Sequence, residues 1–270
     1  MMPRAAVIQM KSSSNVANNL AWANGLLAQA ARRGAQLAVL PENFACMTPH
    51  VEQLHGVAEY FGHGPIQEAL ARMAQRHGLW LVGGTLPLRN GDGRLSNTCL
   101  VFDNRGVLQR RYDKIHLFDV SVPGGETHQE SAHFAPGNEV IVINSPLGRL
   151  GLAVCYDLRF PELFRQMLAQ NVEVIALPAA FTYASGQAHW DALLRARAIE
   201  NQCFVLAASQ CGEHFPGRKT FGHSQIIDPW GKVLGEYTHE WGLAIATLDH
   251  AQQHALREIF PVLHHRRIGC

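Results

Sequence analysis

Residues Leu147 to Leu168 read LGRLGLAVCYDLRFPELFRQML. The run from Leu150 to Val154 is short and apolar, the pattern of a buried strand. Pro161 and Glu162 suit the first turn of a helix, where proline's missing N–H has no acceptor to lose and a carboxylate meets the positive end of the dipole. Leu163, Phe164, Met167 and Leu168 then recur at helical spacing. Cys155 is therefore expected at the C-terminal end of a strand, before a turn into a helix. Open α/β sheets place their chemistry there. A thiol at such a point meets free backbone N–H groups and a helix dipole, and both favour thiolate.

Upstream, Arg4 to Met10 reads as a strand, and Asn15 caps a helix that ends near Gly34. Leu37 to Leu40 is a second buried strand, closed by Pro41 and Glu42. A helix is expected over Pro65 to His77, with Gly78 as its cap. Leu79 to Thr85, Asn97 to Phe102 and Val107 to Arg111 read as strands joined by the turns Asn90-Gly91-Asp92-Gly93 and Asp103-Asn104-Arg105-Gly106. Asp113 to Asn138 reads as one long irregular segment, and a loop of that length inside a compact domain is usually functional. Val140 to Ile143 precedes the opening stretch as a strand. Downstream come a strand over Val172 to Leu177, a helix over Ala188 to Asn201 and a strand over Cys203 to Ser209. Phe221 to Ile227, Lys232 to Tyr237 and Leu243 to Thr247 read as one antiparallel set, followed by a short helix over Leu248 to Leu256. Nothing resembles a linker or a repeat, so one α/β domain over residues 1–270 is expected, a mixed two-sheet core with helices outside.

Composition narrows the function classes. The chain has 270 residues, 47% hydrophobic and 17% charged, which is the balance of a globular protein. A net charge of +1 with no long basic run argues against nucleic acid or an anionic membrane surface as partner. No apolar run reaches membrane-spanning length, and Met1 to Lys11 lacks the pattern of a secretory signal. The six cysteines show no Cys-x-x-Cys pair, which fits free thiols in a reducing cytosol.

Three residues combine into chemistry. Glu42 follows a buried strand, Lys114 lies among large apolar residues in Tyr-Asp-Lys-Ile-His-Leu-Phe, and Cys155 ends the strand above. Alone, each has an ordinary explanation: a loop cap, a snorkelling surface lysine, a buried small hydrophobe. Together they make a nucleophile, a general base that takes the thiol proton and returns it to a departing amine, and a cation for the oxyanion. That is an amide hydrolase working through a thioester.

These segments resemble the nitrilase (carbon–nitrogen hydrolase) superfamily with its Glu-Lys-Cys triad. Glu42 matches the base, Lys114 the lysine and Cys155 the nucleophile. His128-Gln129-Glu130-Ser131 resembles the family's second glutamate segment, making Glu130 a supporting residue, and Tyr156 would contribute its backbone N–H to the oxyanion hole. Cys-Tyr-Asp-Leu-Arg-Phe-Pro-Glu-Leu-Phe-Arg and Ala-His-Trp-Asp-Ala-Leu-Leu-Arg-Ala-Arg-Ala-Ile-Glu-Asn-Gln resemble the Nit-type amidase branch. Ala180-Phe181-Thr182 and Arg195 to Glu200 resemble its deaminated-glutathione amidases more than its omega-amidases. The resemblance implies an αββα sandwich that dimerises into an αββααββα assembly, with no metal and no organic cofactor. It implies hydrolysis of a small carboxylate-bearing amide: deaminated glutathione first, 2-oxoglutaramate or a carbamoyl substrate as alternatives. A non-catalytic scaffold on the same fold is the rival of another class, opposed by the intact triad.

Other residues receive plainer readings. Phe181, Thr182 and Tyr183 follow a strand end and are candidates to line the substrate pocket. Asp157 and Arg159 read as a structural pair at the helix start, and Arg195, Arg197 and Glu200 as intrahelical or interface partners. His189 and Trp190 brace a helix start, and Cys46 is an ordinary buried thiol. The fifteen histidines form no metal-ligand pattern. The tail over 258–270 is a candidate for the subunit interface.

Overall fold

The computed structural model describes residues 2–91, 93–121 and 127–268. Asp92 in the first expected turn, the middle of the Asp113 to Asn138 segment, and Gly269 and Cys270 of the tail lie outside the described residues. In chain order the elements are β1 (Arg4–Gln9), α1 (Val16–Arg32), β2 (Leu37–Val39), α2 (Val51–Val57), α3 (Pro65–His77), β3 (Trp80–Val82), β4 (Leu86–Arg89), β5 (Leu95–Phe102), β6 (Leu108–Asp113), β7 (Asp119–Ser121), β8 (Thr127–Gln129), β9 (Val142–Ser145) and β10 (Gly148–Leu152). There follow α4 (Pro161–Ala169), β11 (Val174–Ala179), α5 (Tyr183–Asn201), β12 (Phe204–Ser209), β13 (Cys211–Phe215), β14 (Arg218–Phe221), β15 (Ser224–Ile227), β16 (Val233–Tyr237), β17 (Gly242–Thr247) and α6 (His250–Ile259).

Two sheets carry the fold. One is seven-stranded, ordered β17-β1-β2-β3-β5-β4 with β6 added to β5, and the other six-stranded, ordered β16-β15-β12-β11-β10-β9. Alternation along the strands builds the layers. Ala5, Val7, Leu37, Val39, Cys99 and Val101 face the second sheet and join a core with Leu150, Leu152, Val174 and Leu206. Their neighbours Ala6, Ile8, Ala38, Leu40, Leu100 and Phe102 face the other way, against Leu26 and Leu27 of α1 and Leu70 of α3. On the far side α4 and α5 bring Leu163, Phe164, Met167, Trp190 and Leu194 onto the second sheet. The result is the αββα sandwich.

Local signals explain the helix ends. Asn15 Oδ1 accepts the Asn18 N–H at 3.0 Å at the start of α1. Pro65 opens α3, and Gly78 ends it at φ +64°. Where the structure departs from expectation, long-range pairing is the reason. Leu243 to Thr247 does not extend the β15–β16 hairpin; as β17 it pairs antiparallel with β1 in the other sheet, Arg4 opposite Thr247. Leu86 to Arg89 is a separate strand, paired with Leu95 to Thr98. The segment after Asp113 is not wholly irregular, because β7 and β8 pair within it. Helix α5 begins at Tyr183 rather than Ala188, capped by Thr182, and α2 and the β13–β14 hairpin are additional.

Candidate active site

Four segments bring the site together. Glu42 follows β2, Lys114 follows β6, Glu130 follows β8 and Cys155 follows β10. The turn carrying Glu42 depends on close backbone approach: a Cβ at Gly84 would lie 2.2 Å from the Pro41 carbonyl oxygen, and Gly84 also holds φ +53°. Gln210, just past the end of β12, steadies the same turn by donating from Nε2 to the Glu42 carbonyl at 3.0 Å.

Cys155 sits at φ +49°, an uncommon conformation for a non-glycine residue. Asp157 holds it there. Fully buried, Asp157 accepts the Val154 N–H at 2.8 Å, the Tyr112 hydroxyl at 2.7 Å and the His116 N–H at 3.0 Å, with His116 Nδ1 at 2.7 Å. The expected Asp157–Arg159 pair does not form, because these donors occupy the carboxylate and Arg159 turns outward to the cavity. Tyr156 is second in the 3₁₀ turn over Cys155 to Arg159. There the leading N–H groups have no acceptor within the turn itself.

At the centre, Lys114 Nζ donates to Glu42 Oε1 at 2.9 Å and to Glu130 Oε2 and Oε1 at 2.8 and 3.1 Å. Glu130 also accepts the Phe118 N–H at 2.7 Å. Asn97 Nδ2 donates to Glu42 Oε1 and to Glu130 Oε1, each at 3.0 Å. Lys114, Glu42 and Cys155 are all buried. Burial alone would lower the Lys114 pKa, but the Glu130 and Glu42 carboxylates outweigh it and hold the ammonium well above its ordinary value. For Cys155 the balance runs the other way. Burial and the neighbouring Glu42 carboxylate push the thiol well above the usual cysteine value, against the opposing pull of Lys114 and of the Ala180 N–H, 3.5 Å from Sγ. The thiolate expected from strand-end N–H groups is thus not the resting form. Two carboxylates already outnumber one ammonium, and a third buried anion would be costly.

The cluster opens into a cavity of about 610 Å³. Phe181 and Thr182 line it, but Tyr183 does not: the residue is 40% exposed, and its ring packs edge-on to Phe221, with Lys219 Nζ 4.2 Å from the ring centroid. Arg159 lines the wall, its guanidinium 5.3 Å from the Phe181 ring centroid and 5.8 Å from that of Tyr156. Its Nη1 lies 3.3 Å from His189 Nδ1. Trp190 braces α5 by donating to the His223 carbonyl at 2.8 Å. Arg195 pairs with Asp191 and Arg197 with Glu200, each at 2.9 Å. Cys46 is buried as expected, yet it lines the same cavity, and burial raises its pKa. Asn97 escaped notice in the chain, although a Ser-Asn-Thr run inside the wholly buried β5 was a usable signal, since buried polar groups need partners.

Residues 4–258 match the family model described as carbon-nitrogen hydrolase. The chain is 40% identical to the deaminated glutathione amidase of Yersinia enterocolitica, over 97% of this chain and 92% of that protein. It is 41% identical to the deaminated glutathione amidase of Synechocystis sp., over 97% of each. The crystal structure of the Caenorhabditis elegans NitFhit protein superposes with a TM-score of 0.90 at 35% identity, covering 99% of this chain and 66% of that longer one. With the two-sheet sandwich and the full-length match in agreement, the chain belongs to the carbon-nitrogen hydrolase family.

Proposed function

We propose that the protein is a cysteine-dependent amidase that hydrolyses deaminated glutathione to 2-oxoglutarate and cysteinylglycine. The observation that carries the chemistry is the cluster of buried Glu42 and Lys114 with partly buried Glu130, beside the Cys155 thiol at the end of an open cavity. Glu42 takes the thiol proton as Sγ attacks the amide carbon. The oxyanion of the tetrahedral intermediate is held by the Lys114 ammonium and the Tyr156 N–H. Glu42 then gives the proton to the leaving amine nitrogen, and the carbon–nitrogen bond breaks to leave a thioester. In the second half Glu42 takes a proton from water, whose oxygen attacks the thioester; the acid leaves and the thiol is restored. Glu130, using both oxygens, keeps Lys114 directed at this point.

The substrate rests on the two bacterial relatives of that name and on the cavity wall. Arg159 has no carboxylate within ion-pair distance among the described residues and presents a positive charge for an acidic substrate. Phe181 and Thr182 shape the adjoining wall. We also propose a homodimer in the reducing cytosol, with the C-terminal tail near the interface. The five described cysteines are all unpaired, in keeping with that compartment.

The test compares 2-oxoglutarate release from deaminated glutathione and from 2-oxoglutaramate. The peptide-bearing amide is expected to be the better substrate, and Cys155→Ala to lower turnover by about 10⁴-fold or more. Preference for the smaller amide would move the assignment to an omega-amidase. A wild-type rate no greater than that of Cys155→Ala would sink the amidase reading.

A further inference from the structure

We infer that Asn97 is a positioning residue that divides the labour between the two oxygens of Glu42 and between the two glutamates. The inference rests on the amidase reading above and adds a member to its machinery. Asn97, the third residue of β5, is 3% exposed. Its amide nitrogen has two N–H groups, and they go one each to Glu42 Oε1 and Glu130 Oε1, both at 3.0 Å. The orientation of the amide follows, because the reverse placement would set carbonyl lone pairs against carboxylate lone pairs. The main chain of the same residue accepts the Lys114 N–H at 3.0 Å. Asn97 therefore touches all three charged members of the cluster.

The consequence lies in which oxygen remains available. Glu42 Oε1 accepts from Lys114 at 2.9 Å and from Asn97 at 3.0 Å, which occupies it. Oε2 is left to exchange the proton with the thiol and then with the leaving amine. Without the Asn97 donors, Lys114 alone would set the carboxylate's orientation and would draw Glu42 and Glu130 toward the same ammonium. Asn97 supplies neutral donors that fix the orientation of each carboxylate without adding a second cation to compete for the thiol proton.

The test reads Cys155 as well as turnover. Peptide-resolved alkylation by iodoacetamide is followed across acid to neutral pH in wild type, Asn97→Ala, Asn97→Ser and Glu42→Gln, beside the pH profile of kcat/KM. Loss of donors to a carboxylate favours its protonated form, so in Asn97→Ala the acid limb of both profiles is expected to move up by about one pH unit. The kcat value should fall about 10- to 100-fold, the scale of a hydrogen bond to a charged group, with KM changed less than about threefold. Asn97→Ser, which retains one donor, should lie between; it also serves if Asn97→Ala fails to fold. Unmoved acid limbs in a variant that melts like wild type would reduce Asn97 to a packing residue. If Glu42→Gln abolishes the acid limb while Asn97→Ala leaves it in place, the Asn97 inference alone fails. If Glu42→Gln changes neither profile, the triad reading falls and this inference falls with it.

Discussion

The neighbourhood of Cys155 is a balance of charges, and among the described residues Lys114 is the one cation hydrogen-bonded to both Glu42 and Glu130. Its raised pKa means that its contribution to stability is present below the unfolded value of 10.5 and is lost only as pH climbs through the higher folded value. At neutral pH that contribution is complete. Lys114→Met should then leave the buried Glu42 and the partly buried Glu130 with Asn97 as their shared donor, lowering stability by about 3–5 kcal/mol. Urea unfolding measures the loss. The penalty should be full at neutral pH and shrink only as alkaline pH discharges Lys114 in the wild type; a penalty unchanged there would mean that lost packing, not charge, is responsible. Glu42, Lys114 and Cys155, which the sequence singled out, are brought together by the fold. The protonation of Cys155 was not legible in the chain, because it depends on how completely the surrounding elements exclude water.

Among the elements, the β13–β14 hairpin has the most to do with the shape of the site. Its loop brings Phe215, Pro216, Gly217 and Arg218 to the cavity. His214 ties it down: Nδ1 donates to the Ser12 carbonyl, and Nε2 pairs with the Thr220 hydroxyl, both at 2.7 Å. A carbonyl only accepts, so Nδ1 carries the proton in the neutral ring. Burial lowers the His214 pKa from 6.5 to about 4, with Arg218 and Lys11 adding repulsion. The folded state therefore favours the neutral ring. Its contribution is intact above about pH 6.5 and declines as pH falls toward 4, by up to about 3 kcal/mol. Thermal unfolding followed over that range should show wild type losing more stability than His214→Asn; parallel curves would remove His214 as the cause. The sequence offered no clear sign of this hairpin, since Cys211 to Phe221 lacks a sustained apolar alternation and its pairing is local and short. By contrast Asn15, Pro65 and Gly78 marked helix ends that the structure retains, because capping acts within a turn of the residue concerned.

Across the whole molecule, one apolar surface stands out near the C-terminal tail. Ile199 of α5, Trp230, and Ile259 and Phe260 at the end of α6 are 49%, 64%, 80% and 49% exposed. They are held as a unit: Trp230 meets Phe260 edge-on at 5.7 Å, and Gln202 Nε2 donates to the Phe260 carbonyl at 2.8 Å. Such a patch is suited to a second copy of the chain. Sedimentation should find the wild type at twice the mass of one chain, and Ile199→Glu combined with Trp230→Asp should shift it to the monomer with the fold retained. A wild type that sediments as a monomer at every concentration would overturn the homodimer.

The sequence by itself determined a mixed two-sheet core with helices outside, most element positions and the three residues, Glu42, Lys114 and Cys155, that the fold brings together; the αββα class came with the family resemblance. Strand periodicity, helix caps and reactive groups at strand ends are local properties that a linear chain displays. Tertiary structure alone decided that β17 leaves the C-terminal hairpin to pair with β1, that Asp157 serves the turn at Cys155 instead of Arg159, that Tyr183 turns away from the cavity, and that Asn97 joins the carboxylates. Each of these depends on groups distant in the chain competing for the same hydrogen-bond donors, acceptors or strand edges. That competition is settled only when the two sheets close on each other and water is excluded between them.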